Sequence, residues 1–146
     1  MPKDEAYQLA KQKIADALRS GATELDLSRM KLTELPQSIG QLTQLTSLDL
    51  SNNGLTALPD ALGQLTQLTS LNLSNNQLTA LPDSLGQLTE LTELDIPTKL
   101  TSPENWQSCN EIIKILDKPL IAHNWQFGRI SISVQPIVNF LIGLVI

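Results

Sequence analysis

Residues 45–67 and 68–90 are nearly the same 23-residue sequence written twice in succession. They read LTSLDLSNNGLTALPDALGQLTQ and LTSLNLSNNQLTALPDSLGQLTE, and they differ at four positions. Leu, Pro and Gly recur in the same register over 22–44, and the register fails after Ile96. A period of this length is typical of stacked units, because one unit cannot bury its apolar face alone. We therefore predict three repeats over 22–44, 45–67 and 68–90, and a degenerate fourth over 91–101.

Each repeat begins with alternating leucines. In LTSLDLS, Leu48 and Leu50 alternate with polar residues, which predicts a short strand with one apolar face. Parallel stacking of the repeats would place each Leu between equivalent leucines of the neighbouring units. Pro36, Pro59 and Pro82 lack an amide hydrogen, so the returning half of each repeat is predicted to be irregular or briefly helical rather than sheet.

The recurring pattern LxxLxLxxNxLxxLPxxLGxL resembles the leucine-rich repeat family over 22–101. The 23-residue length and the LPxxLGQL half resemble its intracellular class found beside Ras-like GTPase modules, including bacterial Roco proteins. The resemblance implies an α/β solenoid with its parallel strands on a concave face. It also implies that Asn53 and Asn76 form a hydrogen-bonded ladder between coils. Met30 and Lys99 stand at the equivalent positions of the outer repeats, so we expect two rungs.

Amphipathic segments flank the repeats, and solenoids need such caps at their ends. Residues 1–21 are predicted to form an N-terminal capping helix, with Gly21 as its stop. The apolar face of this helix is expected to consist of Tyr7, Ala10, Ile14, Ala17 and Leu18. Residues 102–119 are predicted to form a C-terminal capping helix, because Pro103 suits a first helical position and apolar residues follow at helical spacing.

The segment 120–146 is strongly apolar and contains no acidic residue. We rank a hydrophobic segment packed locally or against a partner first, the aberrant end of a truncated repeat gene second, and a membrane anchor third. The apolar part over 131–146 is shorter than the roughly 20 residues that a spanning helix needs, so membrane attachment is disfavoured but stays open.

Composition and motifs exclude several classes of function. A net charge of −5 disfavours binding to nucleic acid, and one cysteine excludes an intrachain disulfide. The opening MPKDEAYQ does not resemble a secretory signal, so we expect a cytoplasmic protein. The chain has one histidine, His123, and none of the GxxxxGK[ST], GxSxG, HExxH or paired CxxC motifs. We therefore predict a protein that is not an enzyme, with no cofactor, metal or small-molecule substrate.

The candidate binding site consists of the polar residues that alternate with the strand leucines. Its central row is Asp26, Asp49, Asn72 and Asp95, with Glu24, Ser47, Ser70 and Glu93 on one side and Ser28, Ser51, Ser74 and Pro97 on the other. Residues 22–97 carry nine acidic side chains and only two basic ones, Arg29 and Lys31. This face either recognises a basic or polar protein surface or is merely solvated. All five aromatic residues lie outside the repeats, so the C-terminal flank is a competing site.

The sequence thus predicts a non-catalytic module that binds a protein partner through the strand face. One alternative is the recognition part, or a fragment, of a larger protein linked to a GTPase, kinase or ubiquitin ligase. Another is a repeat protein tethered to a membrane by its C-terminal segment.

Overall fold

The computed structural model describes residues 3–97 and Leu100. Helix α1 (Lys3–Ser20) precedes four three-residue strands, β1 (Glu24–Asp26), β2 (Ser47–Asp49), β3 (Ser70–Asn72) and β4 (Glu93–Asp95). The strands form one parallel sheet in the order β1-β2-β3-β4. The predicted short solenoid with an N-terminal capping helix is confirmed for this part of the chain. The predicted C-terminal capping helix over 102–119 and the segment 120–146 lie outside the described residues.

A short 3₁₀ helix occupies the returning half of each of the first three coils. These helices are Gln37–Gln41, Asp60–Gln64 and Asp83–Gln87. Each follows a proline in an extended conformation, with φ of −60° at Pro36, −72° at Pro59 and −68° at Pro82. The proline ring fixes φ and removes a donor that a second sheet would need. The prediction of a briefly helical outer side is therefore confirmed.

Leucine fills the space between the strands and the 3₁₀ helices. Leu25, Leu48, Leu71 and Leu94 are register partners across the sheet. Each fully buried leucine contributes about 1.5–3 kcal/mol to stability. In coil 2 (45–67), the buried set consists of Leu45, Leu48, Leu50, Leu55, Leu58, Leu62 and Leu65.

Helix α1 covers the first coil with a narrow stripe of small residues. The stripe consists of Ala6, Ala10, Ile14 and Ala17, all buried. The prediction that Leu18 belongs to this face is wrong, because its side chain is 43% exposed. Leu18 follows Ala17 directly and is turned about 100° around the helix axis from it. Lys13 links the helix to the sheet edge, since its Nζ donates to the Asp26 carbonyl oxygen at 3.1 Å.

Candidate functional site

The polar side chains of the four strands form two aligned rows, which we call the strand face. Because register partners lie 23 positions apart, equivalent residues of successive repeats stand side by side. Neighbouring parallel strands are about 4.8 Å apart, so each row of four residues spans roughly 14 Å. One row consists of Glu24, Ser47, Ser70 and Glu93, and the other of Asp26, Asp49, Asn72 and Asp95.

The row that begins with Asp26 also has a structural role. Its first three members accept a hydrogen bond from the backbone N–H two residues later, which closes an Asx turn at the end of each strand. The distances are 2.8 Å from Ser28 to Asp26, 2.8 Å from Ser51 to Asp49 and 3.1 Å from Ser74 to Asn72. Asp95 cannot close this turn, because Pro97 has no N–H to donate. Turn formation therefore accounts for part of the polar pattern in the sequence.

The serines after the strands are not equally accessible. Ser51 is only 5% exposed, and its hydroxyl accepts a hydrogen bond from Asn52 Nδ2 at 3.2 Å. The expectation that Ser51 faces a partner is therefore corrected, since its side chain lies beneath the surface. Ser28 and Ser74 are half-buried, and the Ser74 hydroxyl donates to Asn72 Oδ1 at 2.7 Å. The hydroxyl groups of both serines therefore form hydrogen bonds within the turns.

Asn53 joins coil 1 (22–44) to coil 2 through both ends of its amide. Its Oδ1 accepts hydrogen bonds from the backbone N–H groups of Met30 and Leu32, each at 3.0 Å. Its Nδ2 donates to the carbonyl oxygens of Leu27 and Leu50, each at 2.9 Å. An amide is required here, because the site needs two N–H donors and an oxygen that accepts two hydrogen bonds within one side chain.

Asn76 repeats this arrangement between coil 2 and coil 3 (68–90). Its Oδ1 accepts from the Leu55 N–H at 3.1 Å, and its Nδ2 donates to the carbonyl oxygens of Leu50 at 2.9 Å and Leu73 at 3.0 Å. The two asparagines thus satisfy backbone groups that the turns would otherwise bury without partners.

A threonine ladder at the other end of the strands was missed by the sequence analysis. The Oγ1 atoms of Thr46, Thr69 and Thr92 donate to the carbonyl oxygens of Thr23, Thr46 and Thr69, at 3.1, 3.0 and 3.1 Å. The signal was present, because Thr recurs at this position in all four repeats. Both ends of β1, β2 and β3 are therefore held by side-chain hydrogen bonds between coils.

Charge is unevenly distributed over the described residues. Every basic residue of 3–97 lies within the first 31 positions, and 32–97 contain seven acidic residues and no basic one. At the basic end, hydrogen bonds from the Ser28 hydroxyl and the Ser28 N–H hold the pKa of Asp26 below its ordinary value. Desolvation opposes this effect, and the charges of Lys13 and Arg29 add to it. From coil 2 onward, the coils of the described part therefore carry only acidic or neutral side chains.

Within residues 3–97, no group of three or more His, Cys, Asp or Glu side chains is arranged to hold a metal ion. The same part of the chain contains no helix long and apolar enough to cross a membrane.

These features define a repeat solenoid with a polar strand face. A family model described as a leucine-rich repeat region matches residues 23–118. The match covers more than half of the chain, and the chain therefore belongs to the leucine-rich repeat family. No curated protein matches it. The more specific resemblance to the Roco class stays a prediction.

Two solved structures are similar to this chain. One is the leucine-rich repeat protein LIC12759 of Leptospira interrogans, which is 43% identical, with a TM-score of 0.58, over 69% of this chain and 26% of that chain. The other is the leucine-rich repeat domain of the type III effector XCV3220 (XopL), which is 33% identical, with a TM-score of 0.57, over 63% of this chain and 31% of that one. The match thus spans a third or less of either solved chain.

Proposed function

We propose that this chain is a non-catalytic interaction module whose strand face binds a protein partner with a basic or polar surface. The observation that carries the proposal is the register of the sheet, which aligns equivalent polar residues of four coils into two continuous rows. Repeat solenoids commonly use such extended faces to bind other proteins. The resemblance to leucine-rich repeats implies that this face is concave.

Charge on the strand face supports a basic partner. Five of the eight residues in its two rows are acidic, namely Glu24, Asp26, Asp49, Glu93 and Asp95. Complementary charge steers a partner during encounter and excludes surfaces of the same sign. We therefore expect association to be fastest at low ionic strength and to slow as salt is added.

The residue types on the strand face favour modest affinity. Binding hot spots are enriched in Trp, Tyr and Arg, and the two rows contain none of these. Four strands of three residues also offer a small contact area. A single contact through this face should therefore be weak and readily reversible.

The test is a quantitative pull-down from lysate of the native cells with the immobilised full chain. A Glu24→Lys/Glu93→Lys variant reverses two charges on the strand face, at exposed residues that close no Asx turn. A control variant, Asp60→Lys/Glu90→Lys, makes the same change at two exposed residues away from that face. We expect a partner that binds the wild type and the control variant but is lost from the strand-face variant. Equal capture by all three proteins would refute a binding role for the strand face.

The second candidate is the recognition part of a longer protein. It is favoured by the comparison with solved structures, in which the matched region is 26% of one chain and 31% of the other. An antibody raised against residues 22–97 would test it in the native cells. A product well above 16.0 kDa would support this candidate, and a single product at 16.0 kDa would contradict it.

A further inference from the structure

One end of the strand face carries cations that the later coils of the described part lack. Lys13 of α1 donates to the Asp26 carbonyl oxygen at 3.1 Å, and Arg29 and Lys31 lie shortly after β1. Hydrogen bonds from Ser28 are the main cause of the lowered pKa of Asp26, and the charges of Lys13 and Arg29 add to it, so both cations lie near that carboxylate. All three cations are exposed, and we call them the basic cluster. Their three positive charges exceed the two negative charges of β1.

The basic cluster is continuous with the strand face. The Arg29 N–H donates to the Ser51 carbonyl oxygen at 3.1 Å, and the Asn52 N–H donates to the Ser74 carbonyl oxygen at 3.0 Å. The coils therefore stay in register beyond the strands, and Arg29 stands beside Asn52 as Asn52 stands beside Asn75. Such neighbours are close, because Asn75 Nδ2 donates to Asn52 Oδ1 at 3.1 Å. A partner that lies across the strand face can thus reach Arg29.

The repeat shows that coil 1 departs from the other coils at two of these cations. The position of Arg29 is occupied by Asn52 in coil 2 and Asn75 in coil 3, and the position of Lys31 by glycine and glutamine. Both cationic residues have a left-handed backbone, with φ of 57° at Arg29 and 60° at Lys31. Asparagine and glycine tolerate this conformation better than arginine and lysine do. Coil 1 therefore keeps two cations at a cost in stability, which is a reason to expect a function for them.

The opposite end of the strand face carries only negative charge among the described residues. Glu93 and Asp95 of β4 stand at the ends of the two rows, and no basic residue follows Lys31 in the described part. Within that part, neither these two carboxylates nor the side chains of Arg29 and Lys31 form an ion pair. Three strand spacings of about 4.8 Å separate β1 from β4, so the two ends of opposite charge lie roughly 14 Å apart.

This separation matches a short length of extended chain. An extended peptide advances about 3.5 Å per residue, so roughly four residues span the distance. We propose that the strand face binds an extended segment of a partner protein in one orientation, with acidic residues over the basic cluster and basic residues, about four positions away, over Glu93 and Asp95. In the reverse orientation, charges of the same sign would face each other at both ends. The inference rests on the strand-face binding proposed above, and it adds the order and spacing of the partner's charges.

The probe is the peptide acetyl-Glu-Glu-Gly-Gly-Lys-Lys amide, in which the acidic and basic pairs have this spacing. Its isomer, acetyl-Glu-Lys-Gly-Gly-Glu-Lys amide, has the same net charge without the separation and is the matched control. In an NMR titration of the ¹⁵N-labelled full chain, we expect saturable shifts of the Arg29, Lys31, Glu93 and Asp95 amides with the first peptide, and binding of the isomer at least about fivefold weaker.

A nitroxide label on the first peptide measures its orientation. A label at the acidic end should broaden the amides of Arg29 and Lys31, and a label at the basic end should broaden those of Glu93 and Asp95. Equal broadening at both ends of the strand face from either label would overturn the proposal, as would equal affinity for the two isomers.

Variants separate a binding role of the two cations from a structural one. Arg29→Asn/Lys31→Gly restores the residues of coil 2, so it should be at least as stable as the wild type but bind the peptide roughly fivefold more weakly. Lys11→Gln/Arg19→Gln removes the same charge from exposed positions of α1 and should leave binding unaltered. Lower stability with unchanged binding in the first variant, or no binding of the peptide to the wild type, would refute the proposal. The lysate pull-down does not use this peptide, so it tests strand-face binding independently.

Discussion

Asn53 and Asn76 each satisfy backbone groups from two coils with a single side chain. Three donors and acceptors of coil 1 depend on Asn53, since Met30 and Leu32 donate to it and Leu27 accepts from it. No other residue type offers two N–H donors and a carbonyl acceptor in so short a side chain. The energetic importance of these asparagines therefore lies in what would be left unpaired without them.

Replacing Asn53 by Ala should destabilise the fold strongly. Each buried backbone group that loses its partner costs about 1–3 kcal/mol, so the free energy of unfolding should fall by several kcal/mol. Urea denaturation of wild type and variant measures the loss. Gln67→Ala, at an exposed position of the same coil, should change stability by less than about 0.5 kcal/mol. Similar losses in both variants would show that the ladder is dispensable.

The Asp26 turn predicts a specific effect of pH. Because the pKa of Asp26 is lowered in the folded state, its carboxylate stabilises the fold above its ordinary pKa, and this contribution is lost as pH falls through the lowered value. Ser28→Ala removes the hydroxyl bond but keeps the N–H bond, so the pKa should rise part of the way towards its ordinary value. NMR titration of the Asp26 carboxyl carbon measures this shift. Ser47→Ala is the control, and an equal rise there would contradict the assignment.

At the scale of elements, the 3₁₀ helices stack so closely that a methyl group added at Gly63 would overlap the next coil. A Cβ atom at Gly63 would lie 2.6 Å from the carbonyl oxygen and 2.8 Å from the Cβ of Ser84 in the next coil. The neighbour is backbone, which cannot move away without shifting the whole helix. Glycine is therefore required at this position by the close approach of the two elements.

Gly63→Ala should cost about 1–3 kcal/mol of stability through this overlap. Gly54→Ala is the matched control, because a Cβ there would meet its nearest atom, the Leu32 carbonyl oxygen, at 3.4 Å. Gly54 has no unusual φ, so its replacement should be neutral or slightly stabilising. Thermal unfolding followed by circular dichroism compares the two. An equal effect of both substitutions would mean that helix stacking does not limit the side chain at Gly63.

The periodicity of the sequence predicted the helix and the strands well, but not which residues lie in the contact between the helix and coil 1. The alternating leucines fixed the strands, and the prolines indicated where the outer helices begin. The spacing of apolar residues also predicted a helix at the position of α1. It could not show that the helix contacts coil 1 through alanines, because the distance between two elements depends on their packing. Hence Ala6 was overlooked and Leu18 was wrongly assigned to the core.

The arrangement of the candidate site could be predicted from the sequence, but the hydrogen bonds and burial of its residues could not. Alternation places Asp49 and Asn72 in one row, and the repeat places that row across the sheet. The turn bonds and the burial of Ser51 were not predictable, because they depend on where the backbone turns after the strand.

At the scale of the whole molecule, charge is segregated along the stack. Basic residues are confined to the cap and coil 1, and the later coils of the described part carry only acidic charge. Acidic side chains two strands apart are about 10 Å from each other, close to the screening length at 0.1 M salt. Mutual repulsion therefore opposes folding at low ionic strength. The acidic residues of 32–97 are Glu34, Asp49, Asp60, Asp83, Glu90, Glu93 and Asp95.

Adding sodium chloride from low to physiological ionic strength should raise the Tm by roughly 2–8 °C, as expected for about 1 kcal/mol in a domain of this size. The variant Asp49→Asn/Glu93→Ser uses residues that coils 2 and 3 already carry in these rows, so it lowers the charge without disturbing the fold. Its Tm should depend less on salt. Parallel salt dependence in the two proteins would show that repulsion within the stack is negligible.

The ladder residue Asn53 is followed by Gly54, and an Asn-Gly pair is prone to deamidation. In an unfolded chain the Gly54 nitrogen can attack the Asn53 side-chain carbonyl, because glycine leaves the backbone unhindered; ammonia departs, and water opens the ring to aspartate or isoaspartate. In the fold that nitrogen donates to the Leu32 carbonyl oxygen at 2.7 Å, and the amide is held by its ladder bonds. The resulting acid cannot rebuild the ladder. In stored protein, the rate of deamidation at Asn53 should therefore be proportional to the fraction of time that coils 1 and 2 are unfolded. It should be faster at Asn53 than at Asn76, where Gln77 follows.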